Sequence, residues 1–86
     1  MYSLDIKPDV DKIFSKLSRK DPVQMDMISK KIEQILLNPL HFKPLRGDLH
    51  GARREHIDKS FMLLYEVDEE KMIVRLLDYG HHDEVY

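Results

Sequence analysis

Apolar positions along the chain recur with two different periods. Tyr2, Leu4 and Ile6 alternate with polar residues, which predicts a short strand with one buried face. Pro8 closes that strand and suits the first turn of a helix. Val10, Ile13, Phe14 and Leu17 then follow at i, i+3, i+4 and i+7, the spacing of one helix face. Arg19 and Lys20 stand at its end, where the helix dipole favours cations. Asp21-Pro22-Val23-Gln24 reads as a second helix start. Aspartate caps, proline fits the first helical position, and glutamine at the third reaches back as in a capping box. Met25, Ile28, Ile32, Ile35 and Leu36 form a wide apolar stripe, and Asn38-Pro39 stops the helix. The connection at Lys20-Asp21 is so short that residues 9–37 are expected to fold as a helical hairpin.

The second half changes period. Residues 38–51 hold two prolines and two glycines and read as an irregular loop. Strands are expected at 52–58 and 60–67, with a tight connection near Asp58-Lys59. Phe61-Met62-Leu63-Leu64-Tyr65 is nearly all apolar, which predicts a central strand covered on both faces. Asp68-Glu69-Glu70-Lys71 is a polar turn, and Met72 to Tyr79 a last strand that Gly80 ends. The order is β-α-α-β-β-β: a single α+β domain over 1–86, with the hairpin on one face of a small antiparallel-dominated sheet.

Composition narrows the function classes. A chain of 86 residues buries only roughly 60–65% of its unfolded surface. Its 42% hydrophobic and 35% charged residues are those of a globular chain. It contains no cysteine, which rules out disulfides and thiolate zinc and fits a cytoplasmic setting. No apolar run approaches the ~20 residues of a membrane helix, so no membrane partner is expected. The net charge is −2. Residues 1–37 carry 7 bases and 6 acids, residues 38–86 carry 7 bases and 10 acids. That balance argues against direct, nonspecific binding of duplex DNA.

The candidate chemistry is confined to the more acidic half. All five histidines lie between His41 and His82. Strand alternation puts Arg54, His56 and Asp58 on one face and Arg53, Glu55 and Ile57 on the other. With Ile57 toward the helices, Arg54 and His56 point onto an open face. A lone strand histidine is more often a structural residue, so His56 gains weight only from its neighbours. Lys43, Arg46, Arg53 and Arg54 place four cations within twelve residues. They read either as a solvated loop and strand edge or as a phosphate-binding patch. Phe61 and Tyr86 are rings on which a base could stack. Gly80 is expected to act as a hinge for His81-His82. Cleavage of RNA by its own 2′-hydroxyl needs a base, a cation and an acid, and histidine, with an ordinary pKa of roughly 6.5, serves either proton role. Metal chemistry is not expected: adjacent histidines on an extended chain do not both turn to one ion, and the helical zinc spacing is absent. No phosphate-binding glycine loop, nucleophile elbow or dinucleotide fingerprint occurs, and no cofactor is expected.

Three segments carry a family resemblance. They are Leu49-His50-Gly51-Ala52-Arg53-Arg54-Glu55-His56-Ile57, Met62-Leu63-Leu64-Tyr65-Glu66-Val67 and Gly80-His81-His82-Asp83-Glu84-Val85-Tyr86. Together with Lys30-Lys31-Ile32 and Leu36-Leu37-Asn38-Pro39, they make the whole chain resemble the RelE/ParE toxin superfamily, nearest its YafQ-like branch. The pattern of that branch is L-x-G-x-R-x-x-H-I, an apolar strand ending in Tyr, and a terminal G-x-H with an aromatic four residues on.

The resemblance implies a toxin of a type II toxin–antitoxin pair that cuts mRNA in the ribosomal A site. Its partners would be a cognate antitoxin, in a hetero-oligomer, and the ribosome with its mRNA. DNA would be reached only through the antitoxin. The strand histidine of the family falls on His56, its C-terminal histidine on His82 and its terminal aromatic on Tyr86. A further catalytic histidine of the branch is Lys43 here, and the acid–aromatic pair after H-I is Ser60-Phe61. His82 is then the expected general acid, and His56 the base or phosphate-orienting group. Lys43, Arg46, Arg54, Phe61 and His81 would contact RNA. Two rivals on the same fold are a ParE-type poison of DNA gyrase, which cuts no RNA, and an inactive antitoxin-binding module.

Overall fold

The computed structural model describes residues 1–41 and 52–83. The elements run β1 (Ser3–Ile6), α1 (Pro8–Lys20), α2 (Pro22–Leu37), β2 (Ala52–Ile57), β3 (Phe61–Asp68) and β4 (Ile73–His81). This is the expected α+β order. The irregular segment expected at 38–51 lies outside the described residues from position 42 onward.

One residue separates the helices, and it serves both. Asp21 ends α1 by donating its backbone N–H to Leu17 O at 2.8 Å. It starts α2 by accepting the Gln24 N–H at Oδ1, 3.1 Å. The capping box therefore does not close as the sequence suggested. The Asp21 N–H is already committed to α1, so the Gln24 side chain donates to Asp21 Oδ2 instead, at 3.2 Å.

The sheet order is β1-β4-β3-β2. β2, β3 and β4 pair antiparallel, and β1 adds to β4 in parallel at the edge. Val10 and Phe14 of α1 and Ile28, Ile32 and Ile35 of α2 close over Ile57, Leu63, Tyr65, Val74, Leu76 and Tyr79. Burying each aliphatic member is worth about 1.5–3 kcal/mol. Of the apolar alternation at the edge, Tyr2 and Ile6 pack against this core, whereas Leu4 of β1 stays 39% exposed.

β3 is covered on both faces, as its apolar run suggested. Leu63 and Tyr65 face the helices, while Met62 and Leu64 pack with Ala52 and Leu77 on the other side. A register shift explains Leu77. Leu64 pairs with Asp78 but Tyr65 with Leu76, so Leu77 is the extra residue of a bulge and turns to the far face.

Of the strand ends that differ from expectation, three have a clear structural cause. Asp58 and Met72 have φ of 57° and 54°, left-handed values that take them out of the ladder and into the turns. The third difference bears on the site. Gly80 neither ends β4 nor serves as a hinge. It pairs with Met62, and His81 pairs with Phe61. The ladder is held beyond the glycine because the His82 N–H donates to Ser60 O at 2.8 Å.

Candidate functional site

The candidate side chains fall into two groups. The first lies on β2. Ala52 and Ile57 are buried on opposite faces, which sends Arg54 and His56 to the side away from the helices, both exposed. His56 pairs with Met62, and Met62 pairs with Gly80. Gly80 has no side chain, so the face stays open beside that row.

The second group leaves β4. His81 lies edge-on to Phe61, centroids 5.8 Å apart. Phe61 stacks on Tyr79 at 5.7 Å, and Tyr79 meets Phe14 edge-on at 5.7 Å. An aromatic column thus runs from the core to the histidines. The Tyr79 hydroxyl donates to Gln24 Oε1 at 2.6 Å. Burial, chiefly, pushes the Tyr79 phenol well above the ordinary tyrosine range, with Asp21 and Asp58 adding to the shift.

After His81 the chain turns, and the two imidazole centroids come within 4.7 Å. Asp83 lies between them. Its Oδ1 is 2.7 Å from His82 Nδ1, and its Oδ2 is 3.5 Å from His81 Nδ1. His81 Nδ1 also accepts the Asp83 backbone N–H at 3.4 Å.

Register relates the two groups. His56 lies two strands from Gly80, a separation of about 10 Å at the usual interstrand spacing. His81 and His82 follow Gly80 at the same end of the sheet, beside the β2–β3 turn that holds Ser60. His81 itself pairs with Phe61, on the helix side of the sheet, whereas His56 lies beside Met62 on the other.

Arg75, farther along the same face, is committed elsewhere. It donates to Asp5 Oδ2 at 2.8 Å and Glu66 Oε1 at 2.6 Å. Those two bonds, Asp5 first, raise its already high pKa.

The sequence-predicted residues therefore divide. Arg54 and His56 share the open face. His81 and His82 form one cluster at the end of β4, with His81 on the side of Phe61. Phe61 is turned to the helix side and half-buried against the core, so its ring is not on the face of Arg54. Lys43, Arg46 and Tyr86 lie outside the described residues. Sequence reasoning missed Asp83 and Tyr79. A carboxylate directly after a histidine pair was a signal for Asp83. Nothing local marks Tyr79, whose partners come from α1, α2 and β3.

A family model described as the ParE-like toxin of the type II bacterial toxin–antitoxin system matches residues 4–86. A Methanocaldococcus jannaschii protein with the provisional name toxin RelE4 is 46% identical over 86 residues, covering 100% of this chain and 92% of that protein. Among solved structures, the isolated E. coli RelE toxin superposes with a TM-score of 0.80 at 25% identity, covering 94% of this chain and 84% of the other. The toxin of the intact E. coli RelBE toxin–antitoxin complex superposes with a TM-score of 0.80 at 22% identity, covering 94% and 96%. That last likeness is one of fold.

Proposed function

This chain belongs to the ParE-like toxins of type II bacterial toxin–antitoxin systems, and from that premise we propose that it is a ribosome-dependent endoribonuclease cutting mRNA without a metal. The observation that supports the reading is that Arg54 and His56 share the open face of the sheet, while His82 follows β4 at the end where the β2–β3 turn lies.

The reaction follows from that placement. His56 accepts the proton of a 2′-hydroxyl, and the oxygen attacks the adjacent 3′-phosphorus. The bond from phosphorus to the 5′-oxygen breaks, and His82 delivers a proton to the departing oxygen. The products are a 2′,3′-cyclic phosphate and a 5′-hydroxyl. Arg54 offsets the charge that grows on the phosphoryl oxygens. Asp83, 2.7 Å from His82 Nδ1, holds that ring in the tautomer whose Nε2 carries the proton traffic. His81 and Phe61 flank the site, Phe61 as the ring that supports His81. Lys43 and Arg46 bind phosphate in this reading, and Tyr86 stacks on a base.

The natural partner is a cognate antitoxin. The fold likeness to the toxin of the RelBE complex supports this, as does a small domain with a limited core of its own. An extended segment ordered on contact is the expected mode.

Primer extension on mRNA in a translating extract, with and without the purified chain, tests the reading. Discrete ribosome-dependent stops are expected. An unchanged mRNA together with loss of gyrase supercoiling would replace it by the ParE-type alternative.

A further inference from the structure

We propose that His81, His82 and Asp83 bind a divalent transition-metal ion, with copper(II) the ion held best. The sequence argued against this because the helical zinc spacing is absent and, chiefly, because adjacent histidines on an extended chain do not both turn to one ion. The structure removes the chief ground. β4 ends at His81 and the chain turns at His82, so both rings come to one side, centroids 4.7 Å apart.

The donor set is close to a coordination sphere. One ligand atom from each residue lies within 4.8 Å of the other two. Two of the contacts are already as short as ligand–ligand edges. Asp83 reaches His82 Nδ1 at 2.7 Å and His81 Nδ1 at 3.5 Å. Metal–nitrogen and metal–oxygen bonds of about 2.0–2.2 Å require edges of about 3 Å. Small rotations of exposed side chains supply the remaining movement. The side chains are 43%, 46% and 74% exposed for His81, His82 and Asp83, so an ion can enter and water can fill the open positions.

The backbone beneath is fixed rather than frayed. The His82 N–H is bonded to Ser60 O at 2.8 Å, and Phe61 lies edge-on against His81. Two imidazoles and one carboxylate suit copper and nickel over magnesium or calcium, and the stability order of divalent ions places copper(II) first. The ion would stand between the His82 ring and the Asp83 carboxylate.

One consequence rests on the cleavage reading above. An ion on His82 withdraws the proposed acid and switches the enzyme off. The binding itself does not depend on that reading.

The test uses copper(II) alone, added to the purified full chain and followed by calorimetry and electron paramagnetic resonance. One ion per chain is expected, with hyperfine structure from nitrogen ligands. His82→Ala and Asp83→Ala should each weaken binding at least tenfold, while His56→Ala leaves it unchanged. Circular dichroism confirms that each variant is folded. Equal affinity in the wild type and in folded His82→Ala and Asp83→Ala would overturn the site. In a second arm, saturating copper should abolish mRNA cleavage by the wild type. An undiminished rate with the site filled would overturn the switch. A chain that binds copper at these residues but cuts no mRNA upholds the site and removes only the cleavage reading.

Discussion

Tyr79 and Phe61 stack with centroids 5.7 Å apart and planes 7° from parallel. This contact connects the hydrophobic core to the histidine pair. Tyr79 is anchored below by Phe14 and by its hydroxyl bond to Gln24, and Phe61 carries His81 above. A histidine near the chain end is thereby supported by residues of α1, α2 and β3.

Tyr79→Phe keeps the stack and removes the 2.6 Å hydroxyl bond to Gln24. The expected loss is about 0.5–1.5 kcal/mol. In a domain of this size, that lowers the melting temperature by several degrees, at about 4–8 °C per kcal/mol. Differential scanning calorimetry measures it. An unchanged melting temperature would show that water replaces the bond at no cost.

Stability should fall at high pH. Burial raises the phenols of Tyr65 and Tyr79 above the ordinary tyrosine value. Above pH ~10 the unfolded chain releases these protons while the folded chain keeps them. Stability is therefore fully present below pH ~10 and declines as pH rises beyond it, by up to about 1.4 kcal/mol per pH unit for each tyrosine. Urea titrations between pH 8 and 11 follow the decline. Tyr79→Phe should make it shallower, and identical slopes in the two proteins would contradict this assignment.

The elements were legible because local pattern and tertiary packing agree in them. The 3.6-residue spacing of Val10, Ile13, Phe14 and Leu17, and that of Ile28, Ile32 and Ile35, predicted two helices that the structure contains. Alternation around Ile57 predicted the face of Arg54 and His56. What was not legible depends on partners distant in sequence. Gly80 looked like a hinge because its ladder partner Met62 is invisible in the local sequence. The Gln24 side chain looked like a capping box until Asp21 proved to close α1 as well. Phe61 read equally well as a base-stacking ring, and only the stack on Tyr79 assigns it to the helix side.

Arg54→Glu should weaken association with the ribosome–mRNA complex at least tenfold, whereas Lys16→Glu on the exposed face of α1 changes little. Co-sedimentation with programmed ribosomes at two salt concentrations distinguishes them. Equal effects of the two reversals would mean that binding follows net charge and not the open face.

A cognate antitoxin should stabilise the chain by mass action. At a hundredfold excess over its dissociation constant, the gain is about 2.7 kcal/mol. Thermal unfolding with the product of the neighbouring reading frame measures it, and no shift at that excess would remove the antitoxin assignment for that product.

The most direct measurement is primer extension on mRNA in a translating extract with the His82→Ala protein beside the wild type. His82 is held beside Asp83 and by its backbone N–H to Ser60 O, in the β2–β3 turn next to the strand that carries His56. A positioned proton donor contributes typically 10²–10⁴ in rate. The account predicts ribosome-dependent cleavage reduced by about a hundredfold or more, with antitoxin binding and melting temperature intact. Cleavage by His82→Ala at the wild-type rate would contradict it.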